Sequence, residues 1–365
     1  MILAFTPSAE AADCAPAPIS RAEPLGAEPL DGGCLFGDVG AAGRLGASFP
    51  DTGVSRGVSL PWARAELGVR SAGDAQARIV LLPLRSGGEQ GYVGVAGESL
   101  VPVVQTAEAR WDWRQAGLTV AGGVVDDPWV MTVQPGWAWR PLLRPMVTES
   151  AFFTRSDVGG WLSWTAPDDL VDVTVSVTSG EGFQRRERND GVNTTVVARA
   201  HPLARSGSDL DLMLGVMGRD GSYGLGQSPD HRAGAMVSIA HPWVAAGVDG
   251  LLGTGLLGDG SLRPAGASVW ARSGDQTPLA AFGRVDRTTA LPTAPGAAST
   301  LALLGAGLRL PPEPGAPTAL VLGWEARRFG PDAAPLAGSA VLARTDTVFL
   351  HLQTRLAGAL PLGGP

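Results

Sequence analysis

The sequence predicts an all-β fold, a transmembrane antiparallel β-barrel of about sixteen strands around a water-filled lumen. Three observations predict it. Segments of roughly ten residues alternate between apolar and polar side chains along most of the chain. The two faces differ in kind, one built of Ala, Val, Leu, Gly and Trp, the other charged. The connections between segments include a set of short turns separated by longer loops.

The clearest case is 104–125. Ala107, Ala109, Trp111 and Trp113 point one way, and Glu108, Arg110, Asp112 and Arg114 the other, because successive strand side chains alternate faces. After the tight RQAG, the return arm sets Leu118, Val120, Gly122 and Val124 on one side. A soluble sandwich shows the same alternation with its apolar face inward. A membrane barrel inverts it, with Ala and Trp toward lipid and charges toward a wet lumen.

In chain order, residues 1–35 read as a Pro/Ala/Gly-rich periplasmic lead, 36–357 as the barrel and 358–365 as a C-terminal tail. MILAFTPSAEAADC resembles the end of a secretion signal, with a small-x-small Ala9-Glu10-Ala11, but its apolar piece Met1–Phe5 is short and has no basic flank. Cys14 and Cys34 have neither CxxC spacing nor His partners, which makes them a candidate disulfide in an oxidising compartment.

The first strand, Phe36–Phe49, sets Val39, Ala41, Leu45 and Ala47 against Asp38, Arg44 and Ser48. Trp62–Arg70 opposes Ala63, Ala65, Leu67 and Val69 to Arg64, Glu66, Gly68 and Arg70. Ala77–Arg85 precedes the hairpin already described. Asp126–Arg155, carrying DDPW, QPGWAWRP and LLRP, reads as a long loop because of its prolines and lack of alternation. Ser156–Thr165 and Asp169–Ser179 form a hairpin around APDD, with Val171, Val173, Val175 and Val177 opposing Asp172, Thr174, Ser176 and Thr178. A charged loop, GEGFQRRERNDG, leads to Val192–His201 and Ser208–Arg219. Then follow Arg232–His241, Trp243–Gly253, Leu262–Arg272, Leu279–Arg287, Ser299–Leu310, Thr318–Arg327 and Thr347–Leu356. In the last, Val348, Leu350 and Leu352 oppose His351, Gln353 and Arg355.

An even strand number suits a bacterial barrel, and RQAG, APDD, ARSGS, RSGDQ and PPEPGAP form the set of short turns. With both chain ends in the periplasm, Asp126–Arg155 becomes the third external loop. The sequence has no apolar run of about 18 residues and no propeller repeat of about 40–50 residues.

The charged face cannot form a dry core, because each unpaired buried charge costs several kcal/mol. A barrel of this strand number is wide enough for water. The candidate pore-lining residues are Arg64, Glu66, Arg70, Glu108, Arg110, Asp112, Arg114, Asp172, Arg199, Asp211, Arg284, Asp286, Glu325, Arg327 and Arg355. Arg140 and Arg144 are candidate ion contacts if the third loop folds inward as a constriction; otherwise the loop is an external flap or a trimer contact. Basic groups at a waist favour anions, while the wall carboxylates nearly match the arginines in number and leave the sign open. Trp111, Trp113 and Trp164 lie near short turns and fit an interfacial aromatic girdle.

The net charge of −7, with 28 basic residues that are all Arg, and the lack of a basic run interleaved with aromatics argue against nucleic acid. His201, His231, His241 and His351 have no metal-ligand spacing, and GLLGTGLLGDG is not followed by GK[ST], so neither metal nor cofactor is expected. Asn193-Thr194-Thr195 matches a glycosylation sequon inside a strand, where it reads as chance. No local motif supports a hydrolase site. The expectation is a non-enzymatic porin in a Gram-negative outer membrane. Its partners would be lipid and small hydrophilic solutes or inorganic anions, and it could assemble as a homotrimer. The alternatives are a plugged or enzymatic outer-membrane barrel and a secreted all-β binding protein.

Residues 150–204, SAFFTRSDVGGWLSW…VDVTVSVTSGEGFQRRERNDGVNTTVVARAHPL, resemble the mid-barrel segment of the phosphate-selective porin O and P family. There, a D-x-G strand is followed by a strand ending in a G-x-G loop, a polar Asn-containing loop and an ARxxxxPL-like strand. The resemblance implies a sixteen-strand, usually trimeric porin that passes anions. That family's lysine-rich binding region has no counterpart here, since the sequence contains no Lys.

Overall fold

The computed structural model describes residues 33–50, 53–71, 74–86, 99–180, 182, 191–224, 226–274, 276–309, 318–333 and 344–362. Its strands are β1 (Gly33–Pro50), β2 (Ser55–Arg70), β3 (Ala75–Ser86), β4 (Ser99–Trp113), β5 (Leu118–Asp126), β6 (Ser156–Thr165), β7 (Val171–Thr178), β8 (Asn193–Ala200) and β9 (Asp211–Asp220). A small separate hairpin follows, β10 (Ser222–Tyr223) with β11 (Ser228–Pro229). The remainder are β12 (His231–His241), β13 (Val244–Thr254), β14 (Ala265–Ser273), β15 (Leu279–Thr289), β16 (Ala298–Arg309), β17 (Ala319–Phe329) and β18 (Arg344–Leu362).

Sixteen of these strands close into one barrel, each paired antiparallel with its neighbour in sequence; β9 pairs β12 across the small hairpin. Closure is made by β1 and β18, in register from Gly33↔Leu362 to Pro50↔Thr345. This long seam moves the barrel boundaries outward from the 36–357 read in the sequence. Gly33–Leu35 and Ala357–Leu362 are ladder residues, because hydrogen bonding to the partner strand continues past the alternating core of each segment. Cys34 is buried on β1; Cys14 and the lead, 1–32, lie outside the described residues.

The polarity is that of a barrel whose outer solvent is hydrocarbon. Val39, Leu67, Val216, Val269 and Leu322 are exposed on the outer face, whereas Asp38, Glu66, Ser176, Asp249 and Asp286 are buried inside. Two bulges, at Ala42/Arg44 and Val80/Leu81, shift the register without changing which face is apolar.

The strand ends joined by the short connections 71–74, 114–117, 166–170, 242–243 and 274–278 share a rim with Gly33 and Leu362. The strand ends that flank 127–155, 179–192, 221–230 and 255–264, which are longer connections, lie at the opposite rim. ARSGS is part of a longer connection, because β9 starts at Asp211 rather than Ser208; PPEPGAP lies outside the described residues. In RQAG, Arg114–Ala116 form a 3-10 turn closed by Gly117 at φ 63°, whose N–H donates to Arg114 O at 3.1 Å, a left-handed position that favours glycine. Trp111, Trp113, Trp164 and Trp243 are all exposed near this short-turn rim, where amphipathic rings suit a membrane interface.

Val216 sits mid-strand on the outer face of β9. Val216→Arg should lower the free energy of unfolding in lipid by about 2–4 kcal/mol. Denaturant titration in vesicles checks this, and an unchanged midpoint would contradict the assigned faces.

Candidate functional site

The longest connection, 127–155, turns into the lumen. Asp127 opens it by capping a helix, α1 (Pro128–Trp137): its Oδ1 accepts from the N–H of Trp129 at 2.9 Å and of Val130 at 3.1 Å. Pro128 at the first helical position loses nothing, since that N–H has no helical acceptor. A short α2 (Met146–Glu149) follows. The sequence reading assigned this whole segment to irregular loop. The helix is too short for a periodic signature, but the Asp-Pro start is an N-terminal signal.

The loop carries the apolar half of the main buried core. Trp129, Val133, Trp137, Trp139, Leu142 and Met146 pack against Met217, Met236, Trp270, Phe282, Leu303 and Val321, which point inward from β9, β12, β14, β15, β16 and β17. Trp139 and Phe282 have ring centroids 4.7 Å apart, and Trp137 meets the same ring edge-on at 5.9 Å. A Cβ on Gly136 would come within 2.6 Å of Trp270, so glycine lets the helix reach the wall. Trp137 Nε1 donates to Leu143 O at 2.8 Å, which closes the chain back onto the helix.

Wall arginines hold the loop's backbone. Arg272 Nε donates to Gly136 O at 2.9 Å and Arg284 Nη1 to Arg144 O at 2.6 Å. The guanidiniums of Arg284 and Arg219 lie 5.1 Å from the ring centres of Trp137 and Phe153. This corrects the placement of two sequence-predicted residues. Arg284 and Asp286, expected on the wet wall, are 2% and 4% exposed beneath the loop and paired with each other. The helix covers their side of the lumen, so pairing replaces hydration.

Among the described residues, two open chambers lie inside the barrel. The larger, ≈ 1870 Å³, lies on the long-loop side. Arg44 and Arg327 enter it from β1 and β17, Arg219 and Arg232 from β9 and β12, and Arg140, Arg144 and Arg155 from the loop region. Among the described residues its lining holds two carboxylates, Glu149 and Asp230. The smaller chamber, ≈ 800 Å³, faces the short-turn rim and is mixed, with Arg78, Arg110 and Arg199 beside Glu108, Asp126, Asp169 and Asp172. The chambers abut where Arg155 Nε meets Asp126 at 2.8 Å.

Arg78 is the hub of the wall at this level, a residue that sequence reasoning missed. It bonds Glu108 at 2.8 Å, Asp126 at 3.0 Å and Glu66 at 3.3 Å, and Arg64 pairs with Glu66 in turn. Arg70 is buried on the same inward face of β2. Lower down, Arg110 meets Asp112 at 2.8 Å, Arg114 meets Asp74 at 3.1 Å and Arg199 meets Asp172 at 2.6 Å; Asp211 faces His201 at 2.9 Å. In the large chamber Arg44 and Arg327 share Glu325 at 3.0 and 2.6 Å, and Arg327 reaches Glu149 at 2.9 Å. Arg144, 61% exposed at its side chain, is 3.3 Å from Glu149. Arg355 lies on β18 opposite Gly40, with its side chain outside the described residues.

Arg140 differs from all of these. It pairs with none of the described carboxylates. Burial, then the guanidiniums of Arg155, Arg64 and Arg144, push it below its ordinary value against the pull of Asp126. Its guanidinium remains a cation, as arginine does in proteins. Glu149 is held down by Arg327 and Arg144 against its burial, so it stays ionised.

No protein-family model matches this chain, and no curated protein sequence does. Solved structures do match in fold. Salmonella typhi OmpF in complex with daunomycin is 11% identical with a TM-score of 0.58, over 87% of this chain and 96% of that one. The outer-membrane channel DcaP of Acinetobacter baumannii is 10% identical with a TM-score of 0.55, over 91% and 99%. The trimer form of the outer-membrane protein OmpT of Vibrio cholerae is 12% identical with a TM-score of 0.52, over 90% and 100%. At these identities what is shared is the barrel.

Two measurements test the loop's anchoring. Trp137→Ala should destabilise the loop by about 3–5 kcal/mol and expose residues 138–155 to limited proteolysis; an unchanged digestion pattern would contradict the packing. Burial raises Asp127 to about 6 despite Arg219 and its two backbone donors. An acid raised on folding binds its proton more tightly in the folded state, so this group adds stability as pH falls from about 6 toward 4. The unfolding midpoint should therefore rise over that interval more in wild type than in Asp127→Asn. Identical slopes would refute the assignment.

Proposed function

We propose that this chain is a passive-diffusion porin of a Gram-negative outer membrane, taking small hydrophilic solutes and favouring anions. The observation that carries the anion preference is the composition of the large chamber: seven arginines against two carboxylates, with Arg140 unpaired among the described residues. A basic chamber on the long-loop, external side concentrates anions before the narrower, charge-balanced chamber, and basic groups at a constriction favour anions. Solutes pass between the loop's free edge, with Gln134, Arg140 and Arg155, and the wall of β1–β5, because the opposite half of the lumen is filled by the apolar loop contacts.

Arg140 is the constriction residue in this reading, Arg144 guards the approach, and the wall pairs Arg64–Glu66, Arg78–Glu108 and Arg110–Asp112 are the pore lining. The likeness of residues 150–204 to the phosphate-selective porin O and P family supports inorganic anions as solutes. Guanidiniums, rather than that family's lysines, would supply the charge. The trimer form of the Vibrio cholerae neighbour supports a homotrimer. The reading is of a channel and not an enzyme.

The test is the reversal potential of refolded protein in a planar bilayer under a salt gradient. Its sign should report anion preference, and Arg140→Glu should move it toward cations. The preference should shrink between about 0.1 M and 1 M salt, as the Debye length falls from about 10 to about 3 Å. A folded barrel without discrete conductance steps would overturn the porin reading; steps with cation preference would overturn the anion assignment alone.

A further inference from the structure

The outer face of the barrel is largely apolar, and a row of arginines interrupts it on the long-loop rim. Arg287 on β15 lies directly opposite Thr300 on β16, Thr300 opposite Arg328 on β17, and Arg328 opposite Arg344 on β18. Side-chain parity puts all four on the outside: they are in step with the exposed Val285, Leu304, Leu322 and Val348 of the same strands. Adjacent strands are about 4.8 Å apart, so three guanidiniums fall within about 15 Å along one line. Elsewhere on this rim the outward positions include the apolar Val158, Val177 and Leu252, the self-paired His231 and Asp220, and the exposed Arg56 of β2, which lies opposite Ala47 and apart from this row.

The row is arranged to hold an anion. Asp346, one outward step below Arg344, bonds Arg328 at 3.0 Å and Arg344 at 3.0 Å and so orients both. Arg328 Nη1 also donates to Arg327 O at 3.0 Å. Arg344 keeps 56% of its side chain exposed, and Arg287 is exposed and pairs with none of the described carboxylates. Three guanidiniums against one carboxylate leave a net positive site at headgroup height. Directly below it run Val285, Ala302, Leu304 and Leu322, a surface for acyl chains.

We propose that Arg287, Arg328 and Arg344 form an outward site for the phosphate of an anionic lipid headgroup in the outer leaflet, whose acyl chains lie over Val285, Ala302, Leu304 and Leu322. A soluble phosphate would have no use for that apolar surface. An arginine on a lipid-facing strand costs little near the interface, so the row is tolerated at this height without a ligand and stabilised with one. The inference rests on the outer-membrane reading above.

The test uses full-length protein refolded in detergent, with bis-phosphorylated lipid A and its dephosphorylated form as probes and bound lipid counted by native mass spectrometry. Wild type should bind the phosphorylated probe at least about ten-fold more tightly than Arg287→Gln, as for a lost charge-assisted hydrogen bond. It should hold the dephosphorylated probe no better than the variant does. Arg287 makes no ion pair among the described residues, so this variant should fold, and heat-modifiable gel migration checks it. Equal binding of both probes, or equal binding by wild type and Arg287→Gln, overturns the site. A change in oligomeric state with unchanged lipid binding also overturns it, and reassigns the row to contact between copies of the chain. Protein that stays monodisperse without detergent fails the membrane reading itself, a result distinct from all of these.

Discussion

The constraint on which everything else depends is closure. A sheet in hydrocarbon cannot leave a row of N–H and C=O groups unpaired, since each would cost several kcal/mol, so the last strand must pair with the first. Here the β1–β18 seam runs the length of both strands, from Gly33↔Leu362 to Pro50↔Thr345. Once the sheet is closed, each strand has one face toward lipid and one toward the lumen, and the period of two becomes a rule about solvent. Leu, Val and Trp go out; carboxylates, guanidiniums and hydroxyls go in.

The inside then has its own problem, because a lumen surrounded by hydrocarbon is a poor place for a lone charge. The molecule answers it in two ways. On β2–β5 the charges form a chain of pairs running from Arg64 through Glu66, Arg78 and Asp126 to Arg155, each carboxylate shared by at least two cations. On β9 and β12–β17 the inward positions include Met217, Met236, Phe282, Leu303 and Val321, which need an apolar partner, and the loop supplies it. Arg272 and Arg284 on the same wall become clamps for loop carbonyls rather than pore-lining groups.

This division explains what could be read from the sequence. The hairpin at 104–125 is legible because its two faces meet different solvents, so Trp111 and Trp113 separate cleanly from Glu108 and Asp112. β3 is harder: ARIVLLPLRS is nearly continuous apolar sequence, since Leu82 and Pro83 line the chamber while Ile79 faces lipid, and Arg78 is hidden in it. The inward Met and Leu residues were not legible as lumen groups. Their partner is a loop whose direction no local pattern records. The same gap misplaced Arg284 and Asp286: alternation shows which face a residue occupies, but not what covers that face.

The consequence is an asymmetric lumen, and the asymmetry decides which residues can do chemistry with a solute. One side of the lumen is sealed by Trp129, Trp137 and their partners, so the open space lies where the loop's polar edge faces β1–β5. On that side most charges already have a partner within hydrogen-bonding distance, and a passing ion would have to compete with it. Arg140 has no such partner among the described residues, because the nearby carboxylate of Asp126 is already engaged by Arg78 and Arg155. Its guanidinium is crowded by Arg155, Arg64 and Arg144, so in the proposed reading an anion is the solute that would relieve the site. In the porin reading proposed above, binding of that kind would admit an anion, yet its single unpaired contact would keep it weak enough to release one, as conduction requires.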